Sequence, residues 1–504
     1  MKTLNELLAV GRDEDFAISA PAGQPLNYAQ LRTLVQSTTL SLNAAGIGRN
    51  DRVAIVLPNG PEMATSFMAV ASAATSAPLN PAYRADEFEF YLSDLNARAL
   101  VVEQGSSSPA VAVAAKLGIA VIELQATPAL GSGAFTLNLG GLAGPCTLPG
   151  AAQAGDIALV LHTSGTTSRP KIVPLTQTNV CASAGNIATT ARFTSEDRGL
   201  NEMPLFHIHG LIAGILAPLS RGGSVSCTPG FNALKFFGWM DEVKPTWYTA
   251  VPTMHQTIVS RAANNADLIA RNPLRFIRSS SSSLPPQVLA ELETVFKAPV
   301  IEAYGMTEAA HQMACNPLPP GLRKPGTVGL AAGPEVAIMD TDGALLPVGA
   351  IGEIVIRGAN ITPGYESNAK ANAEAFTQGW FRTGDQGALD AEGYISITGR
   401  LKEIINRGGE KISPREVDEV LMDHPAVAQV VTFGLPHDKL GEEVAAVVVL
   451  REGGVVTERE LRDFTAKKLA DYKVPRKILF MDEIPKGATG KLQRIGLAQK
   501  LGLA

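Results

Sequence analysis

Asp156-Ile157-Ala158-Leu159-Val160-Leu161-His162-Thr163-Ser164-Gly165-Thr166-Thr167-Ser168-Arg169-Pro170-Lys171 is the stretch on which the reading of this chain turns. Its first half is an apolar run, the pattern of a buried strand. Its second half crowds five hydroxyls around one glycine and closes on Pro-Lys. A helical stretch follows from Gln177, so the expected unit is strand, loop, helix. Such a loop can cradle phosphate: Gly165 admits backbone N–H groups to an anion, the hydroxyls donate hydrogen bonds, and Lys171 adds a mobile positive charge. The Walker pattern G-x-x-x-x-G-K-[ST] is absent. Taken alone, the same residues also describe an ordinary polar turn.

Outward from this stretch, strand and helix alternate. A helix is expected over 28–44, a strand over 51–57, a helix over 62–74, another near 85–95 and a strand over 99–102. Gly105–Pro109 and Gly131–Gly150 read as surface connections. Further strands fall at 157–161, 199–203, 224–227, 247–250, 275–279 and 299–302. Helices fall at 177–191, 209–219, 232–243, 252–264 and 285–296. That order predicts an α/β fold with a mainly parallel sheet. From about 327 short β runs separated by Gly, Asp-Gly and Pro turns predict a small β-rich subdomain. A ribbon over 404–412 doubles back through Gly408-Gly409. Then the pattern restarts, with helices at 415–422 and 457–469 and strands at 427–433, 444–450 and 477–480.

At 504 residues the chain exceeds one core, since cores stop growing near ~250–300 residues. The expected division is residues 1–400, holding two α/β subdomains and the β-rich one, hinged to a smaller α+β domain over 401–504. A hydrophobic content of 45% with 18% charged residues describes an ordinary globular protein. The net charge of −5 gives no reason to expect nucleic acid as a partner. Cys146, Cys181, Cys227 and Cys315 show no C-x-x-C spacing, which argues against a disulfide framework or a zinc site. The N-terminus lacks the apolar core of a signal peptide. No stretch is long and apolar enough to span a bilayer. A cytoplasmic protein without membrane attachment is expected, as a monomer or homodimer.

Three further constellations carry chemistry. In Tyr304-Gly305-Met306-Thr307-Glu308, Glu308 is a candidate for Mg²⁺, which needs only one or two carboxylates beside phosphate oxygens. Thr307 is placed to bind phosphate and Tyr304 to stack on a base. In Trp380-Phe381-Arg382-Thr383-Gly384-Asp385 the acid is expected in a tight turn, a position from which a carboxylate accepts from ribose hydroxyls. In Pro485-Lys486-Gly487-Ala488-Thr489-Gly490-Lys491 a glycine-rich loop of a separate small domain can deliver Lys491 to a charged transition state. Core packing, a turn and a solvated basic tail are the respective ordinary alternatives.

These motifs, with the opening loop and Gly399-Arg400-Leu401-Lys402-Glu403, occur in one order across residues 28–496. Together they resemble the ordered core motifs of the AMP-forming acyl-CoA synthetase, luciferase and adenylation-domain superfamily. Ser168-Arg169, Met203-Pro204-Leu205-Phe206-His207-Ile208-His209-Gly210, the run Arg278-Ser279-Ser280-Ser281-Ser282-Ser283-Leu284 and Glu308-Ala309-Ala310-His311-Gln312-Met313 are similar to the oxalate–CoA ligase subgroup. The resemblance implies ATP, Mg²⁺ and coenzyme A, and a reaction in two halves through an acyl adenylate. It implies that Thr163, Ser164, Gly165, Thr166, Thr167 and Lys171 hold the β- and γ-phosphates and that Thr307 binds the α-phosphate. Tyr304 would flank adenine, and Asp385 and Arg400 would grip the ribose. Glu308 would hold the metal, Lys402 would be the hinge, and Lys491 would bridge carboxylate and phosphate. His207, Ser281 and His311 would contact the acid. A donor-rich pocket suits a small acid with a second carboxylate, because buried charge needs paired hydrogen bonds. Three other readings remain open at this point: a ligase for another small or aryl acid, an adenylation enzyme loading a carrier protein, and a non-catalytic nucleotide-binding regulator. Only a short tail follows Lys491, so a fused carrier domain is not expected.

Overall fold

The computed structural model describes residues 1–163, 170–486 and 492–503. Two large sheets form the body of residues 1–331. One has the strand order Phe135–Asn138, Ala120–Ala126, Ala99–Glu103, Arg52–Val56, Thr75–Pro78, Ile157–His162, Ile172–Thr176. The other runs Leu330–Ala331, His311–Cys315, Val300–Met306, Phe276–Ser280, Trp247–Ala250, Arg198–Asn201, Ser224–Cys227, Phe16–Ser19, Leu26–Asn27. The inner strands of both pair in parallel, as the alternation predicts. The helix Pro61–Ala71 lies between the sheets and buries every residue from Met63 to Ala71. A helix apolar all round has no face left for water, which is why its sequence shows so little periodicity. Helix Gln177–Thr190 shares this core, and Thr176 and Asn179 cap it reciprocally.

Three expectations needed correction here. The opening stretch is not strand, loop, helix. Ile172–Thr176 is a strand that pairs antiparallel with Ile157–His162, so the hydroxyl-rich segment joins the two arms of a hairpin and the helix begins only afterwards. Its Pro174 is tolerated because this strand is the edge of its sheet, where a missing N–H breaks no ladder. Thr75–Pro78 is a fully buried strand, and Phe135–Asn138 is an edge strand inside a segment expected to be a surface connection.

A third, antiparallel sheet over Glu335–Met339, Gly352–Arg357, Trp380–Leu389 and Ile395–Arg400 is the β-rich unit foreseen from 327. Asp385 sits within the strand Trp380–Leu389, not in a tight turn; Gly384, at φ 74°, bends the strand just before it. Beyond Arg400 the ribbon Ile405–Arg407 and Glu410–Ile412 turns through Gly408 and Gly409, at φ 59° and 96°. It joins Gly441–Leu450, Val427–His437 and Lys477–Phe480 in a separate sheet with its own apolar clusters on the two faces. Among the described residues no helix is long and apolar enough to cross a membrane.

Candidate active site

A cavity of about 430 Å³ opens where the C-terminal ends of the strands of the nine-stranded sheet meet the β-rich unit and the last sheet's helix Pro414–Met422. Open α/β sheets place ligands at this end of their strands. Tyr304, Gly305, Asp385 and Arg400 line it from one side, and Arg415, Asp418 and Arg494 from the other.

One side of the cavity carries a three-residue network. Asp385 and Arg400 are direct cross-strand partners, and Arg400 Nε donates to Asp385 Oδ1 at 2.8 Å. Tyr304, from the other sheet, donates its hydroxyl to Asp385 Oδ2 at 2.5 Å. The carboxylate is only 4% exposed. Burial raises its pKa, opposed by Arg400 and by the Tyr304 hydrogen bond. The same burial and the nearby Asp385 push the Tyr304 phenol well above its usual range, so it remains a hydrogen-bond donor.

The two ends of the hydroxyl-rich segment, Thr163 and Lys171, are pinned together. Thr163 N donates to Lys171 O at 2.9 Å, and Lys171 N donates to Thr163 Oγ1 at 3.0 Å. Ser164, Gly165, Thr166, Thr167 and Lys491 lie outside the described residues. Lys171 extends its ammonium over the Tyr365 ring, 4.3 Å from the centroid. Tyr365 in turn donates its hydroxyl to Glu308 Oε1 at 2.7 Å. Glu308 is buried, and no ion pair neutralises it among the described residues. Thr307 opens the short turn Thr307–Ala309 that presents it. A single buried acid that makes no ion pair among the described residues fits a Mg²⁺ completed by phosphate oxygens. No cluster of three or more metal-ligating side chains occurs among the described residues.

A second cluster gathers residues far apart in sequence. His209 Nδ1 lies 3.0 Å from Ser281 Oγ, and its Nε2 lies 2.7 Å from Thr249 Oγ1. The His209 and His311 rings stack at 4.9 Å and 19°. Arg278 Nη2 donates to His311 Nε2 at 3.1 Å and to Gln312 Oε1 at 3.3 Å. Ser281 (φ 76°) and His311 (φ 101°) both adopt left-handed backbone, the kind of strain that collects at functional sites. His209 begins a π-helical stretch, His209–Leu216, also a frequent mark of function. His207 stands two residues earlier, where its Nδ1 accepts from His209 N at 3.3 Å. Thus Ser281 and His311 are joined through His209 and Arg278, and His207 caps the turn that carries His209.

Lys402 is exposed, in the turn between Arg400 and the last sheet. Beside it Arg494 donates to Glu403 Oε2 at 2.7 Å and to Asp418 Oδ2 at 2.5 Å. Sequence reasoning missed Tyr365, His209 as a network member, Arg278 as more than a motif residue, and this ion triad. Arg278 had a signal, a charge inside a strand-like run, Phe276-Ile277-Arg278; Tyr365 had none.

The chain belongs to the AMP-binding enzyme family: the AMP-binding enzyme model matches residues 9–366, and the AMP-binding enzyme C-terminal domain matches residues 416–491. Among its relatives, the probable CoA ligase CCL9 of Humulus lupulus is 47% identical over 478 residues, covering 93% of this chain and 90% of that protein. The oxalate–CoA ligase of Arabidopsis thaliana is 45% identical over 492 residues, covering 96% and 95%. Among solved structures, ATP-bound MatB from Rhodopseudomonas palustris matches with a TM-score of 0.88 at 29% identity, over 99% of this chain and 98% of that one.

Proposed function

We propose that this chain joins oxalate to coenzyme A in two half-reactions. An oxalate oxygen attacks the α-phosphorus of ATP and the bond to pyrophosphate breaks. The CoA thiolate then attacks the acyl carbon, and the bond to AMP breaks. The observation that carries the choice of acid is the buried polar cluster of His209, His311 and Thr249 behind Ser281, which lines the cavity. Hydrogen-bond donors in a buried wall favour a small anion over a fatty chain. Similarity to an oxalate–CoA ligase over almost the whole chain supports the same reading.

In this mechanism Asp385 and Arg400 hold the ribose and Tyr304 flanks the adenine. Thr307 binds the α-phosphate. The segment from Thr163 to Lys171, with Ser164, Gly165, Thr166 and Thr167, encloses the β- and γ-phosphates. Glu308, oriented by Tyr365, would hold Mg²⁺, whose charge offsets that of the phosphates. His207, Ser281 and His311 bind the acid. Residues 1–400 form the body and 401–504 a domain that rotates about Lys402. Before rotation Lys491 bridges the attacking carboxylate and the α-phosphate; after it, Lys491 is withdrawn and CoA is admitted. Substrates are small molecules throughout, in a cytoplasmic monomer or homodimer.

The test is pyrophosphate release with oxalate, malonate, acetate, glycolate and a medium-chain fatty acid. Oxalate is expected to give the highest kcat/KM; any other order overturns the assignment of the acid. Pyrophosphate release without CoA dependence of thioester formation would instead favour a carrier-protein loader.

A further inference from the structure

Lys402, the pivot proposed above, stands between two ties. On one side Leu401 N donates to Gly384 O at 2.9 Å, in the strand that carries Asp385. On the other, Glu403 Oε2 accepts from Arg494 Nη1 at 2.7 Å. Arg494 comes from the far end of the small domain, three residues beyond Lys491. The described residues on either side of the segment that holds Lys491 are joined. Lys486 and Leu492 form an antiparallel bridge, and Gln493 N donates to Pro485 O at 3.2 Å. Arg494 fastens this stem to the domain. Its Nε donates to Thr432 O at 2.6 Å and its Nη2 to Asp418 Oδ2 at 2.5 Å, while Asp418 Oδ1 accepts from Thr432 N at 2.6 Å. One guanidinium thus binds the strand Val427–His437, the helix Pro414–Met422 and the turn after Lys402. The Arg494 side chain is 22% exposed, and those of Glu403 and Asp418 are 16% exposed. A largely buried network of this kind holds more firmly than an isolated surface pair. Along the chain Glu403 and Arg494 are 91 residues apart, so their ion pair is a direct link between two points that the backbone joins only through the whole domain.

We propose that Glu403 and Arg494 are positioning residues for Lys491: their ion pair makes the stem beside Lys491 a rigid continuation of the hinge turn, so that rotation about Lys402 sets where Lys491 arrives. The proposal rests on the roles given above to Lys402 and Lys491 and says how the pivot and the lysine are coupled. It is indifferent to which acid is activated. Placement at a reacting centre is demanding, since an error of about 1 Å can cost about 100-fold in rate. The cost of losing the link falls on adenylation alone, because Lys491 is withdrawn before the thioester forms.

ATP–pyrophosphate exchange by the full-length protein, with whichever acid gives the highest kcat/KM, reads adenylation. Thioester formation from the preformed adenylate and CoA reads the second half-reaction. Glu403→Gln removes the charge and keeps the shape, and Arg494 retains Asp418 and Thr432 as partners. The variant is expected to lower the adenylation kcat by about 10-fold, with less than about a twofold change in the KM for ATP and in thioester formation. Equal loss in the two half-reactions, as a weakened domain would give, overturns the proposal, and so does an unchanged adenylation kcat. A second measurement asks whether Glu403 acts through Lys491. In a Lys491→Ala background, Glu403→Gln is expected to cost less than about twofold in adenylation, because the group it places is gone. A loss of about 10-fold that persists there overturns the coupling while leaving Lys491 its role. If Lys491→Ala by itself leaves adenylation intact, the reading of Lys491 fails and the coupling falls with it. Should another acid outrun oxalate, the oxalate assignment fails and the same two measurements, made with that acid, still decide the coupling.

Discussion

Tyr365 donates its hydroxyl to Glu308 Oε1 at 2.7 Å while its ring carries the Lys171 ammonium 4.3 Å from its centroid. One side chain thus fixes the acid proposed for the metal and the cation proposed for the phosphates. Asn372 anchors Tyr365 in turn, accepting from its N–H at 2.7 Å and donating to its carbonyl at 2.8 Å.

Tyr365→Phe removes the hydroxyl and keeps the ring. Losing a group that orients a metal ligand typically costs 10–100-fold in affinity, so Mn²⁺ binding in the presence of an ATP analogue, read by electron paramagnetic resonance, should weaken by about 10-fold or more. Tyr365→Ala should additionally raise the KM for ATP, since Lys171 loses its support. Wild-type Mn²⁺ affinity in Tyr365→Phe would show that the hydroxyl does not orient Glu308.

Asp385→Asn keeps a hydrogen-bond acceptor for Tyr304 but removes the charge opposite Arg400. Because a buried charged partner is lost, AMP affinity should drop by about 2 kcal/mol or more, close to 30-fold. Isothermal titration with AMP measures this directly, and the thermal midpoint of the free protein should move far less.

Glu302 predicts a pH dependence of stability. It is 1% exposed, and its Oε1 accepts from Leu284 N at 2.9 Å. Burial raises its pKa from 4.5 to about 7, against the opposing pull of Arg415 and the Leu284 hydrogen bond. A carboxyl whose folded-state pKa lies above its unfolded value binds its proton more tightly when folded. Its contribution is therefore fully present below about pH 4.5 and is lost as pH rises through about 7, a change of up to about 3 kcal/mol. Glu302→Gln retains the acceptor and cannot ionise. Denaturant titrations at pH 5 and 8 should show the variant gaining on the wild type at the higher pH; parallel losses in both would exclude Glu302 as the source.

Lys491→Ala should abolish most adenylation, by about 100-fold or more for a charge acting only in the transition state, yet still convert preformed oxalyl adenylate and CoA to thioester. Equal loss in the two half-reactions would remove Lys491 from the proposed role.

Much of the scaffold was legible because its signals are local. The strands Ser224–Cys227, Trp247–Ala250 and Lys477–Phe480 match the expected ranges, since apolar runs bounded by Gly, Pro or charge need no tertiary information. Two of the missed strands share a cause. Ile172–Thr176 contains Pro174, and Phe135–Asn138 lies among glycines; both are edge strands, where tertiary position overrides local preference. Asp385 was expected in a turn because Thr383-Gly384-Asp385 has turn composition, but pairing to Ile395–Arg400 and Gly352–Arg357 holds the segment extended.

By itself, then, the sequence determined the alternation of elements, the order of the nucleotide motifs and the residues that compose them, because these depend on neighbours along the chain. Only the tertiary structure decided that Arg278 meets His311 and His209, and that Tyr365 stands between Glu308 and Lys171. Those partners lie on different strands and loops, and strand order and register set which side chains meet at the ends of a sheet. No local periodicity encodes that order. The segment after the first strand shows the same division: its composition led to the expectation of a loop opening a helix, but Ile157–His162 pairs with Ile172–Thr176, so Lys171 leads into a strand and the helix begins only at Gln177.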